Sequence, residues 1–243
     1  MKDVLVYGGK SLEEFNTFFD GSKSFGTPEK DYEIISIPGR SGDLSVFNNR
    51  YKDQTIDFPC FIRSNFLRNF RSLTEYLNSL NGYQRLETSK EPNHFRKALF
   101  LGLVEPKTTP FNHGGSFTIS FRCNPQRWLK EGENWITFDS TATQSNPAIL
   151  FNPTLQTAKP LIRVYGNGTV SINGYAFTLS NVGSYEYVEI DCETGNAYRI
   201  EQGFPINLND KFAGYFPVLD PGENSIFLIS PTKIEIQPRW FEI

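Results

Sequence analysis

Apolar residues in this chain alternate with polar ones over short runs far more often than they recur at helical spacing. Phe58, Cys60 and Ile62 occupy every second position, as do Phe117, Ile119, Phe121 and Cys123, and later Val188, Ile190 and Cys192. Successive side chains of a strand point to opposite faces, so each set lines one face of a strand. In the first half this pattern predicts strands over residues 4–7, 32–37, 55–62, 85–88, 98–104 and 116–123, ending at Gly, Pro or Asn clusters. The polar segment 37–44, with Gly39 and Gly42, reads as a tight loop.

One segment predicts a helix. Phe66, Phe70, Leu73, Leu77 and Leu80 recur at spacings of three and four, with Arg68, Arg71, Glu75 and Asn78 between them. Ser64 is the expected N-cap, and Asn81-Gly82 the expected stop. Residues 11–19 suit a short helical turn. After Cys123 the pattern weakens. Residues 124–160 hold Pro125, Pro147, Pro153 and Pro160 and a Ser/Thr/Asn-rich stretch at 139–146, which reads as a connector. Beyond it, strands are predicted at 161–165, 185–192, 197–200, 215–219, 225–229 and 233–240. Residues 169–172 and 175–179 flank Asn173-Gly174, the clearest hairpin signal in the chain. Residues 220–224 read as a turn. Short strands at this spacing suit a β-sandwich.

Composition sharpens the β reading. The 243 residues include 22 Phe and 11 Tyr but one Met, and Phe and Tyr favour strands. The length admits one large domain or two small ones, and the connector favours two, over 1–135 and 136–243. The formal net charge of -3 offers no basic surface for phosphates, so nucleic acid is not an expected partner. No apolar run approaches the roughly 20 residues of a membrane span, and the N-terminus lacks an apolar signal segment. Synthesis in a reducing cytoplasm without export is expected. The three cysteines, Cys60, Cys123 and Cys192, all fall on apolar strand faces and are expected to be core thiols.

Candidate chemistry is sparse. His94 and His113 sit in turn contexts with no second His or Cys at metal-ligand spacing, so no metal site is expected. No G-x-S-x-G elbow occurs. Gly166-Asn167-Gly168 is followed by a hairpin rather than a helix, so a turn is expected instead of a phosphate loop. Glu189 and Asp191 share a strand face at a separation that glycosidase carboxyl pairs also show, although any E-x-D strand does so. Trp128, Trp135, Trp240, Tyr165, Tyr175, Tyr185 and Tyr187 are candidates for a carbohydrate-binding platform, with core or interface burial the commoner fate of such rings. The phase of Trp240 with Ile234 and Ile236 places it in the core. No catalytic residue and no cofactor are expected.

The order of motifs carries a resemblance. The first half runs Ile37-Pro38-Gly39-Arg40-Ser41-Gly42-Asp43, Tyr51-Lys52-Asp53-Gln54-Thr55-Ile56, the amphipathic segment, Gly82-Tyr83-Gln84-Arg85-Leu86, and a closing run from Gly115 to Pro125. The second runs Asn152-Pro153-Thr154-Leu155, Lys159 to Gly166, Ile172-Asn173-Gly174, Val188 to Glu193, Phe216-Pro217-Val218-Leu219, Pro221-Gly222-Glu223-Asn224 and Ile236 to Trp240. Taken together, this series resembles the distal tail protein (Dit) family of long, non-contractile-tailed phages of Gram-positive bacteria.

The resemblance implies a mainly β fold: an N-terminal β-sandwich belt domain with one α-helix and a hairpin, then a C-terminal galectin-like β-sandwich. It implies a non-enzymatic hub at the distal end of the virion tail. The hub is a homo-hexameric ring, single or doubly stacked, that joins the tail tube to the tail-associated lysin or fibre and the receptor-binding baseplate proteins. The major tail tube and tape-measure proteins are further implied partners. Arg40 and Asp43 are candidate interface residues. The alternative reading is a lectin-like module for host cell-wall glycans.

Overall fold

Phe58, Cys60 and Ile62 on one strand and Phe117, Ile119 and Phe121 on its neighbour are buried, and the residues between them face outward. The computed structural model describes residues 3–19, 26–102, 106–109, 113–183, 187–231 and 233–243. Contacts divide the chain after Arg127, into Met1–Arg127 with the terminal Ile243 and Trp128–Glu242. The protein is mainly β, with one α-helix among the described residues.

In the first unit an antiparallel sheet runs in the order Thr17–Phe19, Gln54–Ile62, Gly115–Cys123, His94–Phe100, Gln84–Thr88, Leu5–Tyr7, Lys10–Ser11. Its backbone is the nine-residue pairing from Gly115↔Ile62 to Cys123↔Gln54. The helix Phe66–Ser79 buries Phe66, Leu73 and Leu77 against this sheet. The rings of Phe66 and Phe70 meet Phe117 edge-on at 6.3 and 5.3 Å. Such pairs add to the area they bury. Ser64 does not cap the helix. Its hydroxyl accepts from Asn16 Nδ2 at 2.9 Å, and Asn65, with a left-handed φ of 50°, occupies the cap position without a side-chain bond. The helix ends at Ser79, two residues before the expected Asn81-Gly82 stop. Leu80 then turns inward over Gly8, where a Cβ would lie 2.5 Å from Leu80 Cδ1 at a φ of +60°. Residues 11–19 give a 3-10 turn, Leu12–Phe15, capped by the Ser11 hydroxyl, and then the strand Thr17–Phe19.

A separate two-stranded sheet in this unit pairs Lys30–Ile35 with Leu44–Tyr51. The second of these strands was not expected. The strand predicted at 98–104 lies earlier, at His94–Phe100, and residues 103 and 104 fall outside the described residues.

The second unit is a β-sandwich. One sheet orders Ile136–Asp139, Lys233–Gln237, Leu161–Tyr165, Val188–Asp191, Asn196–Glu201 and Phe204–Asn207; the other orders Ala148–Asn152, Gly222–Ile229, Gly168–Ile172, Tyr175–Leu179 and Phe212–Gly214. Ile162, Val164, Val188, Ile190, Ile234 and Ile236 of the first pack with Val170, Ile172, Phe177, Leu179 and Ile226 of the second. The Asn173-Gly174 turn has both φ angles positive, 52° and 81°, as a two-residue hairpin turn requires.

Three expectations fail here. Residues 124–160 are no bare connector, because they contain the strands Arg127–Leu129, Ile136–Asp139 and Ala148–Asn152. Residues 220–224 are not simply a turn, since Gly222–Asn224 already pair with Leu150–Asn152. The fully buried Asn224 holds that corner: its Nδ2 donates to Leu150 O, Asp220 O and Gly222 O, and its Oδ1 accepts from Asp220 N. Finally, 215–219 is not a strand. Leu219 makes a single bridge to Ala158, and the sheet is completed by Phe212–Gly214 instead.

Candidate functional site

The two-stranded sheet of the first unit is the feature least explained by the fold it belongs to. It pairs Tyr32 with Phe47, Glu33 with Val46, Ile34 with Ser45 and Ile35 with Leu44. Alternation then gives the hairpin two faces. Tyr32, Ile34 and Phe47 share one, with the Tyr32 and Phe47 rings 5.2 Å apart. Glu33, Ile35, Leu44 and Val46 share the other. All six apolar residues are exposed, Ile34 by 60%. A lone two-stranded hairpin is marginal in water, and apolar residues on both of its faces are unusual for a surface that stays wet.

Polar groups anchor the base of the hairpin. Arg50 Nε donates to Asp31 Oδ2 at 2.6 Å, and Lys52 Nζ lies 3.5 Å from Glu29 Oε2. The Arg50 bond holds the Asp31 carboxyl below the usual carboxylate range. At the far end, the Arg40 amide donates to Ile37 O at 3.2 Å and closes the turn. Arg40 and Asp43 are both exposed there, and neither side chain has an ion-pair or hydrogen-bond partner among the described residues. The structure therefore puts the two sequence-chosen interface residues at the tip of an apolar hairpin. The exposed apolar residues themselves were not among the sequence candidates. Their signal was the pair of alternating runs flanking the 37–44 loop, but alternation of this kind also describes core strands.

The other candidates resolve into structural roles. Glu189 is 6% exposed and accepts from Arg163 Nε at 2.9 Å. Asp191 accepts from Arg239 Nη1 at 2.6 Å and from the Glu193 amide at 3.0 Å. Each carboxylate is thus held by its own arginine. The candidate aromatics do not form one platform. Trp240 is core, as its phase indicated. Trp128 packs on Phe241 at 5.3 Å. Trp135 and Tyr187 lie beneath the Arg163 guanidinium at 4.0 and 4.8 Å, and Lys233 sits 4.0 Å over Tyr165. Tyr175 and Tyr215 form a separate pair. Tyr185 lies outside the described residues.

Asn167 accepts from the Val182 amide at 3.0 Å, and the bend it occupies leads straight into the strand Gly168–Ile172. All three cysteines are buried, and burial pushes each thiol up to about 12. No group of three or more His, Cys, Asp and Glu residues suited to a metal ion occurs among the described residues. No described helix is long and apolar enough to cross a membrane.

No family model and no curated protein matches the chain. Solved structures do. The chain is similar to the SPP1 Dit (gp 19.1) protein, described as a paradigm of the hub adsorption apparatus in phages infecting Gram-positive bacteria. The match covers 100% of both chains at a TM-score of 0.71 and 12% identity. It is also similar to chains of the phage p2 baseplate in its activated conformation. With Sr the TM-score is 0.57 at 11% identity over 96% of each chain; with Ca it is 0.58 at 12% identity over 97% of each. The fold is therefore that of the Dit hub protein from end to end.

Proposed function

We propose that this chain is a structural, non-enzymatic hub subunit of the distal tail of a non-contractile-tailed phage. It assembles into a closed hexameric ring that joins the tail tube to the tail-associated lysin or fibre and the receptor-binding apparatus. The observation that carries this reading is the fold likeness to a hub protein over the full length of both chains. The likeness to baseplate chains points the same way. In this reading the first unit is the ring-forming domain and the second a galectin-like sandwich. The hairpin is the arm through which copies join, with Arg40 and Asp43 at its tip among the interface residues. A ring needs a head-to-tail contact whose rotation closes, and a projecting apolar arm suits such a contact.

Native mass spectrometry of the purified chain tests the proposal. The expected species has six times the mass of the 27.8 kDa chain, or twice that if rings stack. A strict monomer at high concentration, unchanged by added tail proteins, would overturn it.

A further inference from the structure

The arm has an acidic side chain without a counterion. Glu33 is exposed beside Ile35, Leu44 and Val46 and has no cationic partner among the described residues. The end strand of the first unit's sheet shows the converse. Thr17–Phe19 pairs with Gln54–Ile62 and with no other described strand. Phe19, Cys60 and Ile62 turn inward to the core, so the cross-strand neighbours Phe18 and Phe61 turn outward, their rings 5.7 Å apart. The exposed Arg63 guanidinium lies over both rings, 4.6 Å from Phe18 and 5.7 Å from Phe61. It has no carboxylate partner among the described residues.

We infer that the Glu33 face of the arm on one copy lies across the Phe18–Phe61–Arg63 surface of the next copy, with Glu33 pairing to Arg63. This deepens the hub reading and rests on it. The two surfaces match in kind: three aliphatic residues with one anion against two rings with one cation. Apolar contact excludes water around the ion pair, which strengthens it. The surfaces are also different parts of the same unit. A contact between unlike patches can run head to tail and repeat from copy to copy, which is the geometry a closed ring requires. The occupant of the Phe18–Phe61–Arg63 surface is thus a second copy of this chain.

Charge reversal tests the pairing across copies. Glu33→Arg and Arg63→Glu change exposed side chains, so circular dichroism should match the unmodified protein in both. Each variant alone is expected to lose assembly by at least about tenfold in native mass spectrometry, because like charges then face each other at every contact. Mixing the two variants one to one should restore assembly. In an alternating ring every arginine at 33 meets a glutamate at 63, and every remaining Glu33 meets Arg63. Restoration on mixing requires that the two residues meet between copies. Single variants that assemble as well as the unmodified ring would overturn the pairing and leave the hub reading intact, and so would a mixture that stays apart. An unmodified chain that never assembles, with or without tail proteins, removes the hub reading and the pairing together.

Discussion

Arg163 reaches Glu189 with its Nε at 2.9 Å while its guanidinium lies over the Trp135 ring at 4.0 Å. The carboxylate is almost fully buried on the outer face of the Leu161–Tyr165 and Val188–Asp191 strand pair, at the register Arg163↔Glu189. Removing one partner of such a pair leaves an unpaired charge out of water. Arg163→Ala is therefore expected to destabilise the second unit by about 3 kcal/mol, and Glu189→Gln by less, because the amide oxygen still accepts. Urea denaturation of both variants measures this. Equal and small losses would show the pair to be merely tolerated.

Acid should weaken the same unit. Burial pushes the Asp191 carboxyl up, but the bonds from Arg239 and the Glu193 amide outweigh it and hold the group below the usual carboxylate range. Glu235 is similarly lowered: burial raises it, and Lys233 and Tyr165 outweigh burial. A carboxyl depressed in the folded state contributes stability that is complete above its unfolded value, near pH 4, and is lost as the pH falls through the folded value. Tm should be flat on the acid side down to about pH 5 and then drop. In Asp191→Asn the drop should be shallower. An unchanged acid limb in that variant would remove Asp191 from the account.

Thiol chemistry gives a third expectation. With each thiol raised to about 12 by burial, thiolate is scarce near neutral pH. Ellman's reagent should label none of Cys60, Cys123 and Cys192 in the native protein within minutes, and all three after denaturation. Fast labelling of one thiol in native protein would mean that its strand opens locally.

Gly8 is a backbone requirement that burial alone does not reveal. Its φ of +60° favours glycine, and a Cβ there would press on Leu80 Cδ1 and the Tyr76 hydroxyl. That hydroxyl donates to Tyr7 O at 2.7 Å and ties the helix to the first strand. Gly8→Ala should cost about 1–3 kcal/mol in unfolding measurements. A neutral result would mean that Leu80 moves aside freely.

The parts of this fold that the sequence made legible are those where a strand has one wet face and one dry face. The alternation of Phe117, Ile119, Phe121 and Cys123 located a central strand within one residue of Gly115–Cys123. The phase of Trp240 placed it in the core, even though the strand itself stops at Gln237, before Pro238 and a left-handed Arg239. What misled was punctuation. Pro147, Pro153 and Pro160 suggested a connector, but each stands immediately beside a strand, next to Ala148, Asn152 and Leu161. Proline lacks an amide donor, so it tolerates a strand end as readily as a loop. The hairpin was half visible for a related reason. Leu44–Tyr51 is exposed at every position but its last, and Asn48, Asn49 and Arg50 break the alternation. The exposure of Ile34 on one face and Ile35 on the other could be recognised only once the structure placed the hairpin outside the main sheet.

That hairpin supplies the last expectation. Ile34 shares a face with Tyr32 and Phe47, and more than half of its surface is open to water. Replacing an exposed apolar side chain changes folding stability little, within about 0.5 kcal/mol. Ile34→Ser combined with Val46→Ser should therefore leave the unfolding midpoint of the isolated chain unchanged. If the arm joins copies, the same double variant removes apolar area from a contact repeated around the ring, at about 25 cal/mol per Å2 lost. Assembly should then fall while folding does not. Native mass spectrometry and thermal unfolding on one preparation separate the two effects. A drop in Tm that parallels the loss of assembly would instead place these residues in the support of their own unit, and an intact ring would free the arm for a different partner.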